Sequence, residues 1–177
     1  TVATLGTALT PQHLQQLKKL CRKVIIFRDS DSAGQNAAHR DLEMILQAGL
    51  FAELVVFPSE TKEDPDSIGQ RPEAVELIKY SRNDAILHLI GEAYRAALDR
   101  YTEKHGQSKK ALLLPEDKKN LTELAGKLVG CIPDNTTREA YTEQLKELFK
   151  IKIASKSEKF EKQYIKAPDI IIDMGEK

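Results

Sequence analysis

Apolar and polar positions alternate in two different ways along the chain, and the change between them divides it. Up to about residue 82, short apolar runs are separated by segments whose apolar residues recur every three or four positions. This is the pattern of β-strands alternating with amphipathic helices, and it predicts a parallel sheet covered by helices. From Asn83 onward only the helical period remains, which predicts a small helical bundle.

The strands and helices are predicted as follows. The first part begins with a strand end at 1–6, followed by a helix at 11–21, a strand at 23–27, a helix at 32–49, a strand at 51–57, a polar loop at 58–67 and a short helix at 72–80. Residues 23–27 are apolar on both faces, which predicts a central parallel strand. The second part consists of helices at 83–106, 120–132, 137–151 and 155–166, with a polar connection at 107–119 and a breaker at 133–136.

This pattern predicts three regions. We expect an α/β subdomain over residues 1–82, a helical-bundle subdomain over residues 83–166 and a disordered tail over residues 167–177. The chain starts at Thr1, without a methionine and already inside an apolar pattern, so we expect it to be a piece of a longer protein.

Composition adds little about partners. The 27 basic and 27 acidic residues balance, so bulk charge indicates neither nucleic acid nor membrane as a partner, although a local patch could bind either. The two cysteines have no disulfide or metal-ligand spacing, which favours a reducing compartment. No apolar run approaches the roughly 20 residues of a membrane span. We therefore expect a soluble, cytoplasmic protein without a membrane partner.

Two aspartates follow the strand at 23–27 directly. Asp29 and Asp31 are separated by one residue, so in extended backbone both carboxylates project to the same side. The carboxyl edge of a parallel sheet is where ligands bind, and two close carboxylates repel unless a cation lies between them. Mg²⁺ commonly binds one or two carboxylates plus substrate phosphates. The alternative is structural, because Asp31 before Ser-Ala-Gly is also a good helix N-cap.

A second acidic pair follows the next strand. Asp64 and Asp66 lie in the sequence EDPDS, and if the two strands are neighbours all four carboxylates could converge on one site. Here too a structural interpretation is open, since Asp66 with Ser67 could cap a short helix and Pro65 could simply form a turn. Four carboxylates at one edge are harder to explain by capping alone.

The motifs GTALT, DSDSAGQNAA, LQAGL, EDPDS and RPEAVELI, in this order and spacing, resemble the second half of the TOPRIM region of bacterial DnaG-type DNA primases. The segment IPDNTTREAYTEQLKELFKI is similar to the helical bundle that follows TOPRIM in the primase RNA-polymerase domain. The resemblance covers residues 2 to about 166. It implies a partial TOPRIM-like subdomain at 1–82 followed by the bundle.

The resemblance also implies a function. It matches Asp29, Asp31 and Asp64 to catalytic metal-binding residues and Asp66 to a further metal ligand, with Mg²⁺ as the cofactor and Mn²⁺ as the alternative. The reaction would be synthesis of short RNA primers from nucleoside triphosphates on a single-stranded DNA template, by two-metal nucleotidyl transfer. In the parent protein a replicative helicase would be a partner, and the zinc-binding module would lie outside this chain.

This chain departs from the family pattern in several places. The family's glutamate would lie upstream of Thr1, so we expect the isolated chain to lack primer synthesis. Arg28 stands where the family usually has an aromatic or apolar residue, and Ser30 stands where many members have glycine. Two other interpretations therefore stay open: a non-catalytic scaffold or interaction domain, and a haloacid-dehalogenase-type phosphatase, whose strand also ends in Asp-x-Asp.

Overall fold

The computed structural model describes residues 8–58, 61, 63–106 and 113–153. Its elements, in chain order, are α1 (Pro11–Leu20), β1 (Lys23–Ile26), α2 (Ser32–Gln47), β2 (Phe51–Val55), α3 (Pro65–Gly69), α4 (Ala74–Tyr80), β3 (Arg82–Asp84), α5 (Ala85–His105), α6 (Pro115–Gly130) and α7 (Asn135–Phe149). The predicted strand end at 1–6, the helix at 155–166 and the tail at 167–177 lie outside the described residues.

The described strands form one sheet in the order β1-β2-β3. β1 and β2 are parallel, with Lys23 opposite Phe51 and Ile26 opposite Leu54, as the alternation of strands and helices predicts. β2 is the middle strand, whereas β1 was predicted to be central. Among the described strands β1 lies at an edge and leaves Ile25 42% exposed. The α/β class with a following helical part is confirmed.

The sequence prediction missed one strand and one short helix, and it placed the start of another helix too late. β3 pairs antiparallel with β2, with Val55 opposite Arg82 and Glu53 opposite Asp84. Its three residues are all polar, so no apolar pattern marks it. A five-residue helix, α3, occupies part of the segment predicted as a polar loop, and α6 starts at Pro115 inside the predicted connection. Proline at the first helical position explains both starts, because it lacks the amide that an interior position needs.

One hydrophobic core joins both halves of the chain. It contains buried residues from α2 and β2 together with residues from the three long C-terminal helices, among them Leu42, Ile45, Leu54, Ile86, Ile90, Leu121, Leu128 and Leu145. The core therefore continues across the predicted boundary at residue 82, and the division into two subdomains stays a prediction. None of the described helices is long and apolar enough to cross a bilayer.

Candidate functional site

The first acidic loop connects β1 to α2. Asp31 is the N-cap of α2, and its Oδ1 accepts a hydrogen bond from the backbone N–H of Gly34 at 2.7 Å. The predicted capping role of Asp31 is therefore present, but it uses one carboxylate oxygen only. Asp29 is exposed, and no hydrogen bond or ion pair joins its carboxylate to any residue in the described part of the chain.

Glycine is required at position 34 by a close approach of backbone. A Cβ atom on Gly34 would lie 2.2 Å from the carbonyl oxygen of Asp29 and 3.0 Å from its carbonyl carbon. Contacts this short to backbone atoms cannot be relieved by rotating a side chain. The first turn of α2 thus packs directly on the backbone of Asp29 and sets the position of that residue.

The second acidic loop follows β2 and ends in α3. Asp64 caps α3, and its Oδ1 accepts a hydrogen bond from the N–H of Ser67 at 2.7 Å. The sequence suggested Asp66 as the capping residue, and this was wrong. Pro65 occupies the first helical position, which places the cap at the residue before it. Asp66 lies inside the helix, where its Oδ2 accepts a hydrogen bond from Gln70 at 2.8 Å.

The two acidic loops contact each other through the backbone. The N–H of Ser30, between Asp29 and Asp31, donates to the carbonyl oxygen of Glu63, next to Asp64, at 3.0 Å. Because β1 and β2 are parallel neighbours, both loops leave the same edge of the sheet. The structure therefore brings the two acidic segments together at one edge.

Hydrogen bonds hold the side chain of Glu63 in place where the two acidic loops meet. Nη2 of Arg71 lies 2.7 Å from Oε1 and 2.8 Å from Oε2 of Glu63, and the Ser67 hydroxyl donates to Oε2 at 3.0 Å. The hydrogen bond from Arg71 lowers the pKa of Glu63, and the Ser67 hydroxyl lowers it further. Glu63 thus stays ionised at neutral pH. Glu63 and Arg71 lie in the motifs EDPDS and RPEAVELI, but the sequence did not indicate their contact, because it forms across the short helix α3.

A cleft of about 460 Å³ opens beside the first acidic loop. Its lining includes Asp29, Ser30 and Gly34 from the β1–α2 segment and Ile26 and Leu54 from the sheet, together with His88, Glu92 and Arg95 from α5. Asp29 is the predicted site residue that lines it, whereas Asp31, Asp64 and Asp66 do not. Burial lowers the pKa of His88, so this imidazole is mostly neutral at pH 7. The contribution of α5 follows from tertiary packing, and the sequence carried no signal for it.

Arg28 has a structural partner. Its Nε and Nη2 lie 3.1 and 2.5 Å from Oδ2 of Asp41 on α2, with the two side chains 25% and 10% exposed. This ion pair explains how a charged residue is accommodated at a position that otherwise favours an apolar one. The Ser30 hydroxyl is buried and has no hydrogen-bond partner in the part of the chain that the structure describes.

The chemistry of these residues fits a hard divalent cation. Among the described residues nothing pairs with the Asp29 carboxylate, and Asp31 and Asp64 each keep one oxygen that is not used in capping. No group of three or more carboxylate, histidine or cysteine side chains within the described ranges is arranged to hold a metal. Mg²⁺ does not need one, since it keeps several waters and takes one or two carboxylates plus substrate phosphates.

Comparison with known proteins identifies the class. Residues 1–68 match the family described as Toprim-like, and this segment contains the whole β1–α2 loop and the acidic loop after β2. The chain is 33% identical to the DNA primase of Pseudomonas putida over 150 residues, which are 83% of this chain and 21% of that protein. It thus spans about a fifth of the curated relatives it matches.

Solved structures extend the match to the helical half. A DNA primase domain from Pseudomonas aeruginosa superimposes with a TM-score of 0.63 at 28% identity, over 82% of this chain and 42% of that one. A DnaG primase catalytic domain bound to single-stranded DNA gives a TM-score of 0.63 at 25% identity, over 84% and 44%. The chain therefore matches a fragment of the catalytic core of bacterial DnaG-type DNA primases, as its motifs indicate.

Proposed function

We propose that the chain is part of the catalytic core of a DNA primase, which makes short RNA primers by metal-dependent nucleotidyl transfer. The observation that carries the proposal is the contact between Ser30 and Glu63, which joins the two acidic loops at one sheet edge. The similarity to primases over both halves of the chain supports it. That similarity also favours a primase over a haloacid-dehalogenase-type phosphatase.

The aspartates would hold the metal. We propose Asp29, Asp31 and Asp64 as catalytic metal ligands and Asp66 as a further ligand, with Mg²⁺ as the ion and Mn²⁺ as a substitute. The ions, when bound, would supply charge stabilisation at the phosphates and activation of the attacking 3′-hydroxyl.

The surrounding residues position these carboxylates. The Gly34 amide orients Asp31, and the first turn of α2 sets the backbone of Asp29. The ion pair with Asp41 keeps the guanidinium of Arg28 directed toward α2 instead of toward the carboxylates of Asp29 and Asp31. These contacts leave Asp29 without a partner among the described residues, and it lines the cleft, where a triphosphate could share its metal.

The template and the substrates follow from the proposed reaction. We propose single-stranded DNA and nucleoside triphosphates as ligands, supported by the related DnaG domain whose structure contains single-stranded DNA. A replicative helicase as partner of the parent protein is proposed from the family resemblance alone. A cytoplasmic location would follow from primer synthesis on bacterial DNA.

The test is Mn²⁺ binding by calorimetry. We compare the chain with an Asp29→Asn, Asp31→Asn double variant and with a matched control, Asp99→Asn with Glu103→Gln, which removes the same charge from an exposed part of α5. Loss of binding in the first variant but not in the control supports the proposal. Equal binding by all three proteins would contradict it and favour the non-catalytic scaffold.

A further inference from the structure

Glu63 makes two kinds of contact, one through its backbone carbonyl and one through its side-chain carboxylate. Its backbone carbonyl accepts the Ser30 N–H at 3.0 Å, and its carboxylate is held by Arg71 at 2.7 and 2.8 Å. The Glu63 side chain is 14% exposed, while that of Arg71 is 40% exposed. One residue is therefore fixed on one side to the first acidic loop and on the other to the segment that follows α3.

This arrangement limits how the backbone can move. Ser67 also donates to the Glu63 carboxylate at 3.0 Å and accepts from the Asp64 N–H at 3.1 Å. The carboxylate of Glu63 and the amide of Asp64 are thus held by the same hydroxyl. A shift of Glu63 would change both the capping geometry of Asp64 and the hydrogen bond to Ser30.

The ion pair between Arg71 and Glu63 also lowers the negative charge of the second acidic loop. Glu63 adjoins Asp64, so an unpaired Glu63 would add another negative charge to a loop that already carries two aspartates. The guanidinium of Arg71 compensates that charge, and one of its nitrogens, Nη2, contacts both carboxylate oxygens.

We propose that Arg71 and Glu63 are positioning residues that hold the two acidic loops in the relative arrangement required for metal binding. This inference rests on the proposed function, because it assumes that the aspartates bind a divalent cation. Neither residue touches the metal. Their effect passes through the backbone of Ser30 and Asp64.

Substitution of Arg71 distinguishes positioning from simple electrostatics, because the two predict opposite changes in Mn²⁺ affinity. Removing a cation near a cluster of carboxylates should strengthen Mn²⁺ binding if only charge matters. Loss of positioning should weaken it. We expect Arg71→Ala to lower Mn²⁺ affinity about tenfold, the lower end of what removing a partner of metal-ligand groups costs.

Arg71→Lys separates the two effects further and guards against misfolding of the alanine variant. It keeps the charge but replaces the rigid guanidinium by an ammonium on a flexible stem, so positioning predicts weaker Mn²⁺ binding and electrostatics predicts no change. Arg82→Ala is the matched control, since this arginine pairs with Glu53 at 3.6 Å on β3. Circular dichroism establishes that each variant is folded.

Amide hydrogen exchange at Ser30 provides a readout that does not depend on metal. We expect the Ser30 amide to exchange faster in Arg71→Ala and at the original rate in Arg82→Ala. Unchanged or stronger Mn²⁺ binding by both Arg71 variants, with wild-type exchange at Ser30, would overturn the positioning role while the metal site itself stands. If the unsubstituted chain binds no Mn²⁺, the metal site is wrong and this inference falls with it.

Discussion

Gly34 offers the sharpest test of how the first acidic loop is built. In Gly34→Ala the new Cβ would lie 2.2 Å from the Asp29 carbonyl oxygen, so either α2 or the Asp29 backbone has to move. Overpacking of this kind costs about 1–3 kcal/mol, and a rigid backbone neighbour places it near the upper end. Alanine returns about 1 kcal/mol through its better helix propensity. The expected net loss in the free energy of unfolding is about 2 kcal/mol.

Gly126→Ala is the matched control. Gly126 lies within α6, and a Cβ there would have no atom within 4 Å outside the helix backbone. Alanine should therefore stabilise the protein by about 0.5–1 kcal/mol, because it restricts the unfolded chain and favours the helix. The same substitution thus has opposite signs at the two positions.

Urea unfolding followed by circular dichroism measures both effects. For a chain of this size, a loss of about 2 kcal/mol corresponds to a decrease in Tm of about 4–8 °C. Because Asp29 shifts, Gly34→Ala should also weaken Mn²⁺ binding, whereas Gly126→Ala should leave it unchanged. Stabilisation by Gly34→Ala comparable to that by Gly126→Ala would refute the close approach between α2 and Asp29.

Two further predictions concern buried polar contacts. Asp41→Asn leaves the partly buried guanidinium of Arg28 without its charged partner, and we expect a loss of about 1–3 kcal/mol by chemical denaturation, less than for a fully buried pair. Tyr141→Phe removes the hydrogen bond that the Tyr141 hydroxyl donates to Asp84 at 2.5 Å and should cost about 1–2 kcal/mol. Burial and the neighbouring Asp84 raise the pKa of Tyr141, so its contribution to stability is complete below its unfolded pKa of about 10 and is lost as pH rises above it.

Each of these predictions has a control. Glu123→Gln breaks an exposed ion pair with Lys119 on α6, where we expect a change below about 0.5 kcal/mol. Tyr80 is 89% exposed, so Tyr80→Phe should change neither the stability of the protein nor the way that stability falls at alkaline pH. An alkaline loss of stability that is the same in the wild type and in Tyr141→Phe would show that other groups cause it. A cost for Asp41→Asn no larger than that for Glu123→Gln would contradict the partly buried ion pair.

Local patterns were sufficient at several positions where the information lies in neighbouring residues, although they suggested Asp66 instead of Asp64 as the cap of α3. The helix predicted from residue 11 begins at Pro11, and the side chain of Thr10 before it accepts the His13 N–H. The same holds for Asp31, whose position before α2 predicts its capping role. The apolar runs of β1 and β2 predict parallel strands, because a strand–helix–strand unit permits few other arrangements. Whether the two strands are neighbours was left open, and their pairing shows that they are. The motifs around Asp29 and Asp64 were enough to indicate the primase family.

Tertiary contacts decided what those patterns leave open. β3 has no apolar period, and it is a strand because Arg82–Asp84 pairs with β2. The bond between Ser30 and Glu63 and the ion pair between Arg28 and Asp41 join residues on different elements, so no local period reports them. The sequence by itself therefore determined the acidic residues and most of the elements with their order, but not β3 or α3. Only the folded chain determined that the Asp29 carboxylate has no partner among the described residues, and what holds the two loops together, because these depend on distances between segments.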